Sequence, residues 1–384
     1  MESKVVRPET AAAQALGWVD DATKAVSPPI HMSSTFIRDA DNQYRNGRVY
    51  ARDHNPSFDQ AEAVLCELEH GARAALFASG MAAGTAVFMA LKPGDHVIAP
   101  KVMYWSLRNW LAGFATQWGL RVDFIDMSDL DALKGTMQPG KTRLVWVETP
   151  ANPLWTITDI AAVADIARAG GAMLAVDSTT ASPVLTQPLT LGADIVMHSA
   201  TKYLNGHSDV IAGALVAREE TEYWQRIKSV RAQIGGTLGS FEAWLLLRGM
   251  RTLYLRVNAA CRSAEAIAAF LTGHELVAEV LYPGLPGFIG HDIAAKQMHG
   301  GFGGMLSVRV KGGEAAAIAT AANVAIWKRA TSLGGTESLI EHRASVEGSQ
   351  SPVPLDLLRL SVGIESVDDL IDDMDEALLR GHRQ

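Results

Sequence analysis

Met173-Leu174-Ala175-Val176-Asp177-Ser178 and, one short crossover later, Asp194-Ile195-Val196-Met197-His198-Ser199-Ala200-Thr201-Lys202 decide how this chain folds. Each segment is a continuous apolar run that ends in polar residues able to do chemistry. Runs without polar alternation are the mark of strands buried on both faces, as in parallel sheets. Lys202 lies 25 residues after Asp177 (202 − 177), about the length of one strand–crossover–strand unit. Working back towards the N-terminus, the same pattern recurs. Arg73–Ala78, His96–Ala99, Arg121–Ile125 and Arg143–Val147 are predicted strands, and 58–70, Ser79–Leu91, 105–117 and 158–169 are predicted helices. Strands alternating with helices predict an α/β fold around a mostly parallel sheet.

Working forward, one long helical stretch is predicted over Leu238–Phe270. A glycine-rich region follows, then a strand at Met305–Val310, a helix at 313–322, a strand at Leu357–Val362 and a last helix at 366–380. This reads as a smaller α+β domain. Residues 1–45 are weakly periodic and read as an arm. The expected division is an arm over 1–47, a main domain over 48–240 and a C-terminal domain over 241–384.

A chain of 384 residues with 48% hydrophobic and 20% charged residues can bury a sizeable core. Its net charge of −8 argues against nucleic acid or an anionic membrane as the main partner. No stretch has the signal-peptide pattern, and no apolar run reaches the roughly 18 residues of a membrane span. A cytoplasmic protein is expected. Cys66 and Cys261 lack partners at metal-ligand spacing and read as buried, reduced thiols, with no metal site.

A lysine at the end of a buried strand is unusual, because an unpaired ammonium is costly to bury. One function suits it: an amine made less basic by desolvation forms a Schiff base with a carbonyl. Alone, Lys202 also reads as a surface loop lysine. Asp177, an acid at the carboxyl end of a strand, sits where open α/β sheets bind ligands; alone, it also reads as a turn cap. Ala78-Ser79-Gly80-Met81-Ala82 opens a helix and could offer backbone N–H groups to a phosphate, with Ser199 and Thr201 adding hydroxyls. Tyr104 could stack on a planar ring or pack as a core aromatic. The order of the pieces (phosphate turn, aromatic, acid, lysine) suggests a pyridoxal 5'-phosphate (PLP) site, in which a carboxylate keeps the ring nitrogen protonated.

The chain resembles the Cys/Met-metabolism (trans-sulfuration) family of PLP enzymes over nearly its whole length. The carriers are Ser27-Pro28-Pro29-Ile30, Tyr50-Ala51-Arg52, Phe77 to Ala83, Glu148-Thr149-Pro150-Ala151-Asn152-Pro153, His198 to Val216, Ser332 to His342 and Leu357 to Glu365. The resemblance implies the aminotransferase-like architecture of fold type I. It implies that Lys202 is the cofactor-bearing lysine and proton carrier, and Asp177 the partner of the ring nitrogen. Gly80, Met81, Ser199 and Thr201 would cradle the phosphate, and Tyr104 would stack on the ring. Tyr50 and Arg52 would reach the phosphate of a neighbouring subunit, which makes the expected assembly a homotetramer built as a dimer of dimers. Asn152, Ser332 and Arg359 would bind the α-carboxylate of a small amino-acid substrate.

The chain departs from the family pattern at three places. Trp105-Ser106 follows Tyr104 where glycine is usual, and Trp105 would either narrow the pocket or pack into its own helix. Thr331 replaces an acid or tyrosine. His342-Arg343-Ala344-Ser345-Val346-Glu347-Gly348 replaces a His-Pro-Ala-Ser-Met-Thr-His pattern; Arg343 and Glu347 would form a new polar pair that either replaces the missing recognition or, as expected, stays solvated. All three lie on the substrate side. The expected activity is therefore γ- or β-elimination from a side-chain-substituted amino acid, with γ-replacement on an activated homoserine as the alternative. A PLP carrier without turnover is the competing class, and the filled catalytic positions speak against it.

Overall fold

The computed structural model describes residues 6–347 and 353–383; Gly348 of the divergent segment lies outside the described residues. A seven-stranded sheet organises the first two thirds of the chain. Its strands are β1 (Arg73–Phe77), β2 (His96–Pro100), β3 (Arg121–Ile125), β4 (Thr142–Glu148), β5 (Met173–Asp177), β6 (Ile195–His198) and β7 (Gly213–Ala217), in the order β1-β7-β6-β5-β4-β2-β3. Only β7 runs antiparallel to its neighbours. The continuous apolar runs have the expected cause. Val145 and Val147 of β4, with Leu174 and Val176 of β5, pack into one core. Leu144, Trp146 and Ala175 pack into another on the opposite face.

Local chemistry sets the helix starts. Asn55 caps Pro56–Leu68 by accepting from Ser57 N, with proline in the first turn; Ser79 caps Gly80–Met89 through Ala82 N; Asp159 caps Ile160–Ala169 through Ala162 N.

Several elements depart from the sequence expectation. Strand β7 was not anticipated. Its sequence, Gly-Ala-Leu-Val-Ala, has weak strand propensity. The tertiary structure demands small residues there, because a Cβ on Gly213 would come within 2.1 Å of the Ser79 carbonyl oxygen. The single helix expected over Leu238–Phe270 is two, Ser240–Met250 and Leu253–Thr272. The periodicity runs on because Leu246, Met250, Leu253 and Val257 face one core across the break. Buried Arg256 seals the joint, donating to the Gly249 and Tyr203 carbonyls at 2.8 Å each. The helix Glu222–Ile234 was also missed.

The second sheet comprises β8 (Val277–Leu281), β9 (Met305–Val310), β10 (Lys328–Arg329), β11 (Leu339–His342) and β12 (Leu357–Ser361), ordered β10-β11-β12-β9-β8 and mostly antiparallel. Leu358 and Leu360 of β12 join a core with the helices Gly313–Ala322 and Val367–Gly381. Strand alternation turns Arg359 to the other face, in register with Ser307 of β9 and Glu341 of β11. That face meets the large sheet: Trp155 Nε1 donates to Ser307 Oγ at 2.9 Å, and Ser307 Oγ donates to the Pro153 carbonyl at 2.8 Å. The helix Leu253–Thr272 joins the two units, contributing Val257 and Cys261 to one core and Ile267 and Leu271 to the other. Both cysteines are free thiols, Cys261 buried and Cys66 partly so. Among the described residues no helix is long and apolar enough to cross a membrane.

Candidate active site

A cavity of about 320 Å³ opens at the carboxyl ends of β4, β5 and β6, where they face the second sheet. That is the crevice at which open α/β sheets take ligands. Ten of the twelve residues singled out from sequence line it: Gly80, Met81, Tyr104, Asn152, Asp177, Ser199, Thr201, Lys202, Ser332 and Arg359. Tyr50 and Arg52 do not. They sit on the surface, with Arg52 5.5 Å from the Tyr50 ring centroid.

One end of the cavity is made of backbone and hydroxyl groups. The Ser79 cap takes Ala82 N at 3.0 Å, so the side chain does not spend the Gly80 and Met81 N–H groups. Gly80 is required here, because a Cβ would lie 2.8 Å from Ser199 Oγ. Ser199 is fixed by its N–H, which donates to Thr179 Oγ1 at 2.8 Å. The Thr201 hydroxyl is already engaged with Ala212, donating to its carbonyl at 3.1 Å and accepting from its N–H at 2.9 Å.

At the centre, Asp177 is 6% exposed, and one of its oxygens accepts from both Thr179 N and Thr179 Oγ1. Burial pushes its carboxyl up against the pull of those bonds. Glu148 is its register partner on β4. Burial, and then the charge of Asp177, push Glu148 up to about 8. Both Glu148 oxygens are used, accepting from Tyr104 N at 2.6 Å and Asn152 N at 3.1 Å. Lys202 Nζ donates to Ser332 Oγ at 2.8 Å. Burial first, and then the positive Arg359, bring the lysine down to about 8. Ser332 has φ +101°, a left-handed backbone that a side chain rarely adopts, and such strain gathers at functional sites.

Charged side chains form the other end. Arg359 is 4% exposed. It donates through Nη2 to the Ser332 carbonyl at 2.8 Å and through Nη1 to Asn152 Oδ1 at 3.3 Å, and pairs with Glu341 at 2.7 Å. Among the described residues its Nε has no partner. Glu341 also accepts from Arg343 at 2.7 Å, and Glu347 holds Arg343 from the far side. The Arg343 and Glu347 side chains are each only 6% exposed, so the expectation of a solvated pair fails. The five-residue helix Arg343–Glu347 sets them four apart, against Glu341 and Arg359. Trp105 stays out of the cavity and packs on its own helix, with Arg108 5.7 Å from its ring centroid.

Sequence reasoning passed over Thr179, Glu148 and Glu341. Glu148 ends an apolar strand just as Asp177 does, so its signal was present; Thr179 and Glu341 were legible only through their partners.

The residues present fit PLP. Open helix-terminal N–H groups and the Ser199 hydroxyl suit a phosphate, a buried carboxyl suits a cationic ring nitrogen, and a desolvated amine suits a carbonyl carbon. The unpartnered Arg359 Nε suits a substrate carboxylate. Comparisons with known proteins agree. The family described as Cys/Met metabolism PLP-dependent enzyme matches residues 9–379. The chain is 47% identical over 377 residues to a cystathionine gamma-synthase of Mycobacterium tuberculosis, covering 97% of this chain and 96% of that one. It is 40% identical over 367 residues to a cystathionine gamma-lyase of Bacillus subtilis, covering 94% and 96%. The crystal structure of cystathionine gamma synthase from Xanthomonas oryzae pv. oryzae in complex with aminoacrylate and cysteine superposes with a TM-score of 0.92 at 40% identity, covering 99% of each chain. The chain therefore belongs to the Cys/Met-metabolism family of PLP-dependent enzymes, and is a trans-sulfuration enzyme of fold type I.

Proposed function

We propose that the protein is a lyase that eliminates a γ- (or β-) substituent from a sulfur- or oxygen-linked amino acid of the homoserine or homocysteine type. The observation that carries this reading is the pairing of a desolvated amine, Lys202, with an anchored guanidinium, Arg359, through one residue, Ser332. Bound in the cavity, PLP supplies an electron sink for the charge left when the Cα proton departs. The chain's own residues do the rest. Arg359, with Asn152 and Ser332 beside it, takes the α-carboxylate and so fixes Cα within reach of Lys202. With its basicity lowered to about 8, Lys202 is partly neutral near neutral pH and can accept and return a proton. Asp177 holds the ring nitrogen, and Thr179 keeps one of its oxygens oriented. Tyr104, its backbone tied to Glu148, would stack on the ring. Gly80, Met81 and Ser199 would hold the phosphate, with Thr201 beside them, its hydroxyl reaching the phosphate only by giving up the Ala212 carbonyl.

Tyr50 and Arg52, exposed just past the arm over 1–47, would complete the phosphate site of a neighbouring subunit in a dimer of dimers. Exposed Met32 and Ile37 on the same arm suit burial against that neighbour. On this reading 48–240 binds the cofactor, and 241–384 closes the substrate side.

The similarity to a cystathionine gamma-synthase favours γ-replacement as a second reading. One experiment separates the two. Cystathionine, methionine, O-acetylhomoserine, O-succinylhomoserine and canavanine are each supplied with and without cysteine, and 2-oxo acid, ammonia and newly formed cystathionine are measured. Release without cysteine is expected. Turnover only when cysteine is present would make the protein a synthase.

A further inference from the structure

The far wall of the cavity includes two positions at which the chain departs from the family pattern, Thr331 and Arg343. Thr331, Ser332, Arg343 and Arg359 face the cavity there, whereas Glu341 and Glu347 do not line it. Both carboxylates are held by guanidinium groups behind that wall. Glu148, at the centre of the cavity, accepts with both oxygens, from the Tyr104 and Asn152 N–H groups. Among the described residues, the acid side chains nearest this wall are therefore bonded, while guanidinium donors remain. Arg343 illustrates this: a guanidinium carries five N–H donors, of which its bonds to Glu341 and Glu347 use three. The two carboxylates fix the fork, so presenting the remaining N–H groups costs little further ordering.

We propose that Arg343 is a specificity-determining residue that reads a hydrogen-bond acceptor, such as an acyl carbonyl oxygen, on the γ-substituent of the substrate. The assignment rests on the functional reading above, in which Arg359 holds the α-carboxylate and leaves the side chain to extend along the wall. A substituent with an oxygen acceptor satisfies donors on Arg343. A plain thioether leaves them buried and unpaired, and a site built to hydrogen-bond a substrate group rejects the analogue that lacks it. Glu347, four residues on, is the positioning residue that keeps the guanidinium against the cavity.

The test is a pair of unreactive ligands: the carba-analogue of O-acetylhomoserine, with a methylene for the linking oxygen, and the same chain without its carbonyl. Each is titrated into the holoenzyme, and binding is followed by the visible absorbance of the cofactor, independently of turnover. The unaltered protein should bind the carbonyl analogue about tenfold to a hundredfold more tightly, the range for one charge-assisted hydrogen bond. Arg343→Met should abolish that preference while leaving the carbonyl-free analogue nearly unchanged. Should Arg343→Met fail to fold, Arg343→Lys keeps the charge without the fork and should lose several-fold of the preference. Equal affinity for the two analogues in the unaltered protein, or an unchanged preference in a folded Arg343 variant, overturns the assignment alone. No spectral response to these or any other amino acid overturns it together with the functional reading.

Discussion

The two ends of the cavity are built on different principles. The end proposed for the cofactor uses groups close in sequence to the strand ends that carry them: Gly80 and Met81 after β1, Asp177 and Thr179 at β5, and Ser199, Thr201 and Lys202 after β6. Its polar atoms are mostly neutral hydroxyls and backbone amides, positioned by sheet geometry. The substrate end is a knot of buried charges, Arg359, Glu341, Arg343 and Glu347, each side chain at most 8% exposed. Its contacts span the chain: Arg359 meets Asn152 across 207 positions, and Lys202 meets Ser332 across 130. Strand ends impose the first arrangement on any sequence that folds this way. The second depends on which charges are present, because a buried ion is tolerated only with a partner. One end can therefore stay the same while the other changes substrate.

The largest break should come where the ends meet. Lys202→Ala removes the proton carrier, and keto-acid release should fall on the order of 10²- to 10⁴-fold or more, with an unchanged circular dichroism spectrum. Mixing that variant with Arg52→Ala should restore part of the activity, because one site in a mixed dimer draws both residues from intact copies. A fully active monomer in sedimentation would contradict the shared site.

Next is the substrate end alone. Arg359→Lys keeps the charge but loses the fork. KM should rise about tenfold to a hundredfold, with cofactor absorbance retained. A loss of cofactor instead would mean that the two ends are not separable.

The pH dependence of the cofactor-free protein probes the amine itself. The Lys202 pKa is lowered from 10.5 to about 8 by burial, then by Arg359. Below about 8 both folded and unfolded chains carry the proton, and the cost of burying the charge is constant. Between about 8 and 10.5 the unfolded chain holds more protons, so this group's contribution to stability rises with pH. Lys202→Met should stabilise the cofactor-free protein at pH 7 by up to about 3 kcal/mol. That gain should shrink across the window when melting temperatures are compared.

Thr331 makes a smaller test. It carries no charge to meet a distal ammonium group, so cystathionine should not be the best substrate in the panel. Thr331→Glu should raise its relative kcat/KM about tenfold, and a panel led by cystathionine in the unaltered protein would contradict the role given to Thr331. The smallest effect belongs to Trp105→Ala. The ring packs beside Arg108 outside the cavity, so the ranking of substrates should not move, and a changed ranking would place the indole in the site after all.

The amino-acid sequence by itself determined the large sheet, because strands buried on both faces must be continuous apolar runs. It also brought Gly80, Asp177, Ser199 and Lys202 to one cavity, because strand-end residues and a capped helix start inherit their place from those runs. Tertiary structure alone decided the strand β7, where a tight approach to Ser79 overrides propensity, and the break at Arg251-Thr252, which one shared core hides from periodicity. It also decided the fate of Arg343 and Glu347. Four residues apart on a short helix, they read as an ordinary exposed ion pair. They are buried because Glu341 and Arg359, on neighbouring strands of the second sheet, supply the charges that complete the network. A charge's partners lie across the fold, and no local pattern carries them.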